Sequence, residues 1–310
     1  MMATPRFAVP SRITVGLSSL GRGTLPGSRE EASAVDFAEE LLTADIAYVD
    51  TSNNYAEGRS EAVLGVAARR VGPSRTTKII SKVDIDPVTA RFDRERVLRS
   101  FEESCMRLGV DRLPLVHLHD PDMLTMAESL GPGGAVEGML ELRSSGVVDA
   151  IGVAAGSLPM MRAYVDTEVF DAVLCHNRFT LVDQSASSLF EEAKRQGMTV
   201  FNAAPFGAGL LSTGAHPGAH YAYMPASDSL LAWVRAVEAI CREYDVTLPA
   251  VALHYSLRSA LVDSTVVGVS SSSRLASLVE LTKVEIPVEL WADLATLGPA
   301  PSPIDDPPAR

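Results

Sequence analysis

Short apolar runs alternate with amphipathic helical patterns along this chain, from Ile13 to about residue 296. No other feature restricts the possible folds as tightly. The runs ITVGLSS (13–19), IAYVD (46–50), TKIISKV (77–83), LPLVHLH (113–119), AIGVAA (150–155), FDAVLCH (170–176), MTVFNAA (198–204) and STVVGV (264–269) read as strands. They are continuous rather than alternating in polarity, as expected of strands buried on both faces in a parallel sheet. Helical stretches lie between them, at 28–44, 60–71, 94–108, 135–144, 158–165, 185–195 and 229–243, with a last pair at 273–282 and 287–296. In the first, Ala34, Phe37, Ala38, Leu41 and Leu42 recur at helical spacing, and Ser28 stands where an N-cap belongs. About eight strands alternating with about eight helices predict the α/β class. Over 310 residues this predicts a (β/α)8 TIM barrel, with a doubly wound sheet as the alternative.

No Gly/Pro/Ser-rich linker divides the chain. Residues 1–298 are therefore expected to form one barrel domain, and 299–310, PAPSPIDDPPAR, a proline-rich disordered tail. The net charge of −12 comes without basic clusters, which argues against nucleic acid or an anionic membrane as partner. The first residues, MMATPRFAVPSRITVG, contain no apolar core of a signal peptide, and no run of about 18 apolar residues occurs. Cys105, Cys175 and Cys241 are odd in number and far apart, so they read as small apolar residues in a reducing compartment. A cytoplasmic protein is expected, monomeric or a small homo-oligomer.

Two loops are long: 119–134 and 204–228. Both follow strands, which puts them on the C-terminal face of a barrel, where barrel active sites sit. The polar residues at strand ends belong to the same face. Asp50 ends the second run and Tyr55 follows it; Lys82 lies near the end of the third; His117 and His119 end the fourth. Taken singly, each has an ordinary explanation: a turn residue, a packed phenol, a solvated lysine, a core histidine. Together they are chemically compatible. A lysine beside an aspartate lowers the cost of placing both in the interior. A lysine beside a tyrosine favours the phenolate and lowers the phenol pKa from about 10, so that the phenol exchanges a proton near neutral pH. A histidine donates to a substrate oxygen. This set suits carbonyl reduction or alcohol oxidation.

The segments DTSNNYAEGRSEAVLG, SKV, LGVDRLPLVHLHDP and PFGAGLLSTG resemble the aldo-keto reductase superfamily, from about Ile13 to Glu280. The resemblance implies a (β/α)8 barrel that uses NADP or NAD, NADP being slightly favoured, on a small carbonyl or sugar substrate. It implies a catalytic set of Asp50, Tyr55, Lys82 and His119, with Tyr55 as general acid and base. FDAVLCHNRFTLVDQSA and DAIGVAAGS are most similar to the aldose (L-fucose, D-threo-aldose) and pyridoxal dehydrogenase branch.

For the cofactor, the resemblance points to His176, which stands where the family has a Gln, and to Phe206, Gly207 and Leu210. At the adenosine end it points to Gly268, Ser270, Ser271 and Arg274 in VVGVSSSSRLASL. The chain departs from the family at Ala154 and Ala155, which replace the usual Ser-Asn, and at Gly268, which replaces a lysine. Two other readings of the same residues remain. One is a metal-dependent barrel hydrolase with His117 and His119, aided by Asp120, His176, His216 and His220. The other is a non-catalytic barrel that only binds the cofactor.

Overall fold

The computed structural model describes residues 5–44, 46, 48–72, 76, 78–302 and 304–306. Among these, eight strands close into a parallel barrel. They are β1 (Ile13–Gly16), β2 (Tyr48–Asp50), β3 (Ile79–Val83), β4 (Leu113–His119), β5 (Val148–Ala155), β6 (Ala172–His176), β7 (Thr199–Ala203) and β10 (Ser264–Gly268), and β1 pairs with both β2 and β10 to complete the ring. The barrel predicted from the sequence is the one observed, and the doubly wound sheet is not. Ala47 and Thr77, at the edges of two predicted strands, lie outside the described residues.

The helices form the outer layer. They are α1 (Arg29–Thr43), α2 (Arg59–Val71), α3 (Arg94–Leu108), α4 (Met126–Leu130), α5 (Ala135–Ser144), α6 (Leu158–Val165), α7 (Ser187–Arg195), α8 (Leu210–Thr213), α9 (Asp228–Glu243), α10 (Leu248–Leu257), α11 (Ser272–Lys283) and α12 (Val288–Thr296). α1 buries Val35, Phe37, Ala38, Leu41 and Leu42, and the Ser28 side chain accepts from the Glu31 backbone N–H, the cap its position predicted. α10 has no counterpart in the sequence reading. Its residues, LPAVALHYSL, are apolar nearly all round and six of the ten are buried, so no polar stripe marks a helical period.

Both long loops carry structure. The first contains α4, started by a capping box between Thr125 and Glu128. The second contains α8 and a small antiparallel hairpin, β8 (His220–Tyr221) and β9 (Met224–Pro225). The hairpin is tied down by Tyr221, which is fully buried. Its hydroxyl donates to the Asn177 carbonyl at 2.7 Å and lies 2.7 Å from the Thr180 hydroxyl. Gly207 makes room for that ring: at φ +54°, a Cβ there would stand 2.3 Å from Tyr221.

Side chains two apart on a strand share a face, so the barrel interior fills in levels. Ile80, Leu115, Ala150, Ala172 and Phe201 form an inner apolar cluster that Phe7 joins. The next positions along the strands are Lys82, His117, Gly152 and Leu174; His119, Ala154 and His176 come after them. Apolar levels below and polar groups above put titratable side chains at the end where the strands finish. The tail expected to be disordered has described residues in contact with that end: Ser302 donates to Asp183, the Ile304 carbonyl accepts from Arg178 at 3.3 Å, and Asp306 pairs with Arg178.

Candidate active site

Four predicted residues meet at the C-terminal mouth of the barrel. β2 ends at Asp50, β3 carries Lys82 as its fourth residue, and the two strands pair with Asp50 opposite Ile80. The Lys82 ammonium donates to Asp50 Oδ2 at 2.6 Å and to the Thr51 carbonyl at 2.8 Å, and both side chains are almost fully buried. Tyr55 stands in the loop after β2, and the Lys82 Nζ lies 4.5 Å from its ring centre. The His119 ring meets Tyr55 edge-on, with centroids 5.5 Å apart. Asp50, Tyr55, Lys82 and His119 all line one cavity of about 290 Å³.

Burial works against the Lys82 charge, but Asp50 beside it and then Tyr55 hold its pKa well above the usual lysine range. The phenol departs from expectation. Lys82 does pull the Tyr55 pKa down, but burial outweighs it and sets the pKa at about 12. Tyr55 is therefore a neutral proton donor in this state, and Lys82 limits the cost of its phenolate.

His119 is held by a residue that the sequence reading passed over. Asp84, just past β3, sits 2.7 Å from His119 Nδ1 through Oδ1. Its other oxygen accepts from the Asn54 backbone N–H at 2.9 Å and from the Ser52 hydroxyl. The Ser52 hydroxyl also lies 3.1 Å from His119 Nδ1. Burial opposes the charge on His119, but Asp84 overrides it and raises the imidazole pKa. With Nδ1 engaged, Nε2 is the nitrogen left to face the cavity.

A histidine whose folded pKa is raised contributes stability that is fully present below its unfolded pKa, about 6.5. That contribution is lost as pH rises through the folded value. Asp84→Asn therefore lowers the melting temperature most at and below about pH 6.5, and the gap to the wild type narrows toward alkaline pH. Calorimetry of both proteins from mildly acid to alkaline buffer checks this; a gap that stays constant contradicts the pairing.

His117 has no place in the site. It is fully buried, one level below His119, and its ring packs edge-on against Phe201 at 5.8 Å. Burial first, then Lys82, drive its pKa far down, so it stays neutral. The two histidines are about 7 Å apart along the strand. Among the described residues no three His, Cys, Asp or Glu side chains come together as metal ligands. His216 and His220 contact Pro217 and Gly218 within their own loop.

The predicted cofactor residues divide. His176 and Gly268 line the cavity with Asp50, Tyr55, Lys82 and His119. Leu210 is 1% exposed, in a core cluster with Leu211 and Tyr221, and Phe206 packs against that cluster. Gly207 faces the Tyr221 ring. Ser271 caps α11, accepting from the Arg274 backbone N–H at 3.4 Å, and Ser270 and Arg274 are exposed near that helix start.

Comparison with known proteins agrees with this geometry. The chain belongs to the aldo/keto reductase family, whose model matches residues 12–298. It is 32% identical to a D-threo-aldose 1-dehydrogenase from a Pseudomonas species, over 97% of this chain and 98% of that one. It is 27% identical to the pyridoxal 4-dehydrogenase of Microbacterium luteolum, over 93% and 96% of the two chains, and 26% identical to the L-galactose dehydrogenase of Arabidopsis thaliana, over 91% and 89%. The fold matches an aldo-keto reductase from Bacillus halodurans in its holo form, with a TM-score of 0.73 at 21% identity over 96% of each chain. It also matches the glycerol dehydrogenase of Gluconobacter oxydans, with a TM-score of 0.74 at 18% identity over 96% and 97%. The protein is an enzyme, an NAD(P)-dependent oxidoreductase that interconverts a small carbonyl compound or sugar and the corresponding alcohol by hydride transfer.

The cavity suits a nicotinamide. Gly16, Ala154, Ala203, Ala204 and Gly268 line it with small groups, which leaves space for a flat heterocycle. Asn177, which also lines it, has a buried side-chain oxygen without a hydrogen-bond partner. A free amide acceptor matches the N–H donors of a carboxamide. This unpaired acceptor lies one residue past His176, at Asn177.

Proposed function

We propose that this enzyme is an aldose-type dehydrogenase that oxidises a sugar at its hemiacetal carbon, with Tyr55 as the general acid and base. The observation that carries this reading is Lys82, clamped between Asp50 and the Tyr55 ring at the floor of a cavity that His119 also lines. The bound nicotinamide supplies or takes up the hydride. In oxidation Tyr55 accepts the proton of the sugar hydroxyl, and in reduction it returns one to the carbonyl oxygen. The Lys82 charge favours the phenolate that forms on Tyr55. His119, fixed through Nδ1 by Asp84, directs Nε2 at the same oxygen and orients it. Asn177, with its unpaired side-chain oxygen, would accept from the carboxamide of the nicotinamide.

NADP is proposed over NAD. Ser270, Ser271 and the exposed Arg274 gather at the start of α11, where hydroxyls, backbone N–H groups and a guanidinium suit a 2′-phosphate. The proposed setting is the cytoplasm, as a monomer or small homo-oligomer. Among the described residues no helix is long and apolar enough to cross a membrane.

The test is to mix the purified protein with NADP+ or NAD+ and a panel of pentoses and hexoses, and with NADPH or NADH and simple aldehydes. Reduced cofactor is expected to appear with at least one aldose, faster with NADP+. Turnover of aldehydes alone would overturn the sugar assignment, and faster turnover with NAD+ would overturn the cofactor preference.

A further inference from the structure

Beyond the catalytic set, one carboxylate lies between two imidazoles at the mouth of the site. Asp120 follows the last residue of β4, and its backbone N–H donates to the Ala154 carbonyl at 2.9 Å. Its φ of +41° is unusual for a residue other than glycine. That conformation directs the carboxylate back over the cavity. Asp120 Oδ2 is 3.6 Å from His119 Nε2, and Asp120 Oδ1 is 3.9 Å from His176 Nε2.

His176 is held so that this nitrogen carries its hydrogen. Its Nδ1 accepts from the Asn177 side-chain amide at 3.1 Å, which leaves the neutral ring protonated at Nε2. The ring lies against Gly156, where a Cβ would stand 2.5 Å from it. Tyr223, on the hairpin, meets the ring edge-on at 6.0 Å. Burial opposes ionisation of Asp120, but His176 and His119 keep its carboxyl below the usual range, so it is an anion at neutral pH.

Both gaps are too long for direct hydrogen bonds, which fall near 2.7–3.2 Å, roughly, and a polar separation beyond about 3.5 Å calls for an intervening group. The Asp120 carboxylate and the His176 Nε2–H together present an acceptor and a donor to one hydroxyl placed beside the pair. Asp120 and His176 also line a second cavity, of about 330 Å³, which shares them, Asn177 and Tyr223 with the first. A substrate whose carbonyl oxygen sits at Tyr55 and His119 would extend past Asp120 into that space.

We propose that Asp120 is a specificity-determining residue that selects substrates with a hydroxyl on the carbon next to the reacting carbonyl, binding that hydroxyl together with His176. The proposal deepens the aldose reading and rests on it for the identity of the sugar, but not for the hydroxyl preference itself. A carboxylate that must accept a hydrogen bond disfavours a substrate without the donor, because the site is then left with an unmatched charge.

The experiment measures kcat/KM for reduction of glycolaldehyde and of acetaldehyde, which differ only by that hydroxyl. It uses the wild type, Asp120→Ala and Asp120→Asn. The wild type is expected to prefer glycolaldehyde. Asp120→Ala is expected to lower the ratio about tenfold or more, the effect of one hydrogen bond to a charged group, and Asp120→Asn, which keeps an accepting oxygen, to lower it less. Asp120 is half exposed, and Asp120→Asn, whose side chain also tolerates the left-handed backbone at φ +41°, keeps the local conformation for comparison with Asp120→Ala. A ratio unchanged in Asp120→Ala overturns the proposal, and so does an equal fall for both substrates. If the ratio responds while no aldose is turned over, the hydroxyl selection stands and the sugar assignment fails. If aldoses turn over and the ratio does not respond, the reverse holds.

Discussion

Tyr55→Phe is expected to lose about 10²–10⁴ of kcat in both directions while still binding the nicotinamide cofactor, a range set by the loss of one general acid or base. The substitution keeps the ring, its edge-on contact with His119 and the lysine over its face, and removes only the oxygen. Burial, which outweighs the pull of Lys82, raises the phenol pKa to about 12, so it holds its proton at neutral pH and is in the protonated form that reduction requires. Oxidation needs the phenolate, so the oxidative rate should climb toward alkaline pH in the wild type and lose that climb in the variant. Steady-state rates over a pH series, with cofactor titration by fluorescence, measure both. A variant within a few-fold of the wild type would remove Tyr55 from the chemistry.

Lys82→Met is expected to abolish turnover and also to destabilise the fold by about 3–5 kcal/mol, because it leaves the Asp50 carboxylate buried without its partner. Asp50 has little to fall back on: Oδ2 is bonded to Lys82, and Oδ1 already lacks a partner. The double variant Asp50→Asn/Lys82→Met removes the stranded charge. It should recover most of the stability and none of the activity. Urea denaturation with rate measurements on the three proteins separates the two roles. If the single and double variants are equally stable, the pair is not coupled as the 2.6 Å contact implies.

Much of this site was legible in the sequence because a barrel turns strand order into spatial order. Once Asp50, Lys82 and His119 fall at the ends of successive strands, closure brings them together. Residues off that scheme were harder to see. Asp84 stands two positions after Lys82, past the end of β3, where an acid reads as a loop residue; only the folded chain shows it against His119. Asp120 was visible in HDPD, but its role depends on a backbone angle that the letters do not reveal. α10 was invisible for the opposite reason, since a helix buried on most sides has no polar face to give it a period. Leu210, which the resemblance placed at the cofactor, is buried in the core cluster under the hairpin, and Phe206 is partly buried against the same cluster.

His117 and His119 stand two apart on one strand, and their environments divide the pH scale between them. His119, paired with Asp84, contributes less as pH rises above the ordinary histidine value of about 6.5. His117 is held neutral in the apolar interior, so its contribution is lost as pH falls below that value, when the unfolded chain gains a proton that the folded one refuses. One erodes stability on the alkaline side and the other on the acid side. Two neighbours on one strand thus make opposite contributions to stability on the two sides of about pH 6.5, one lost above it and the other below it.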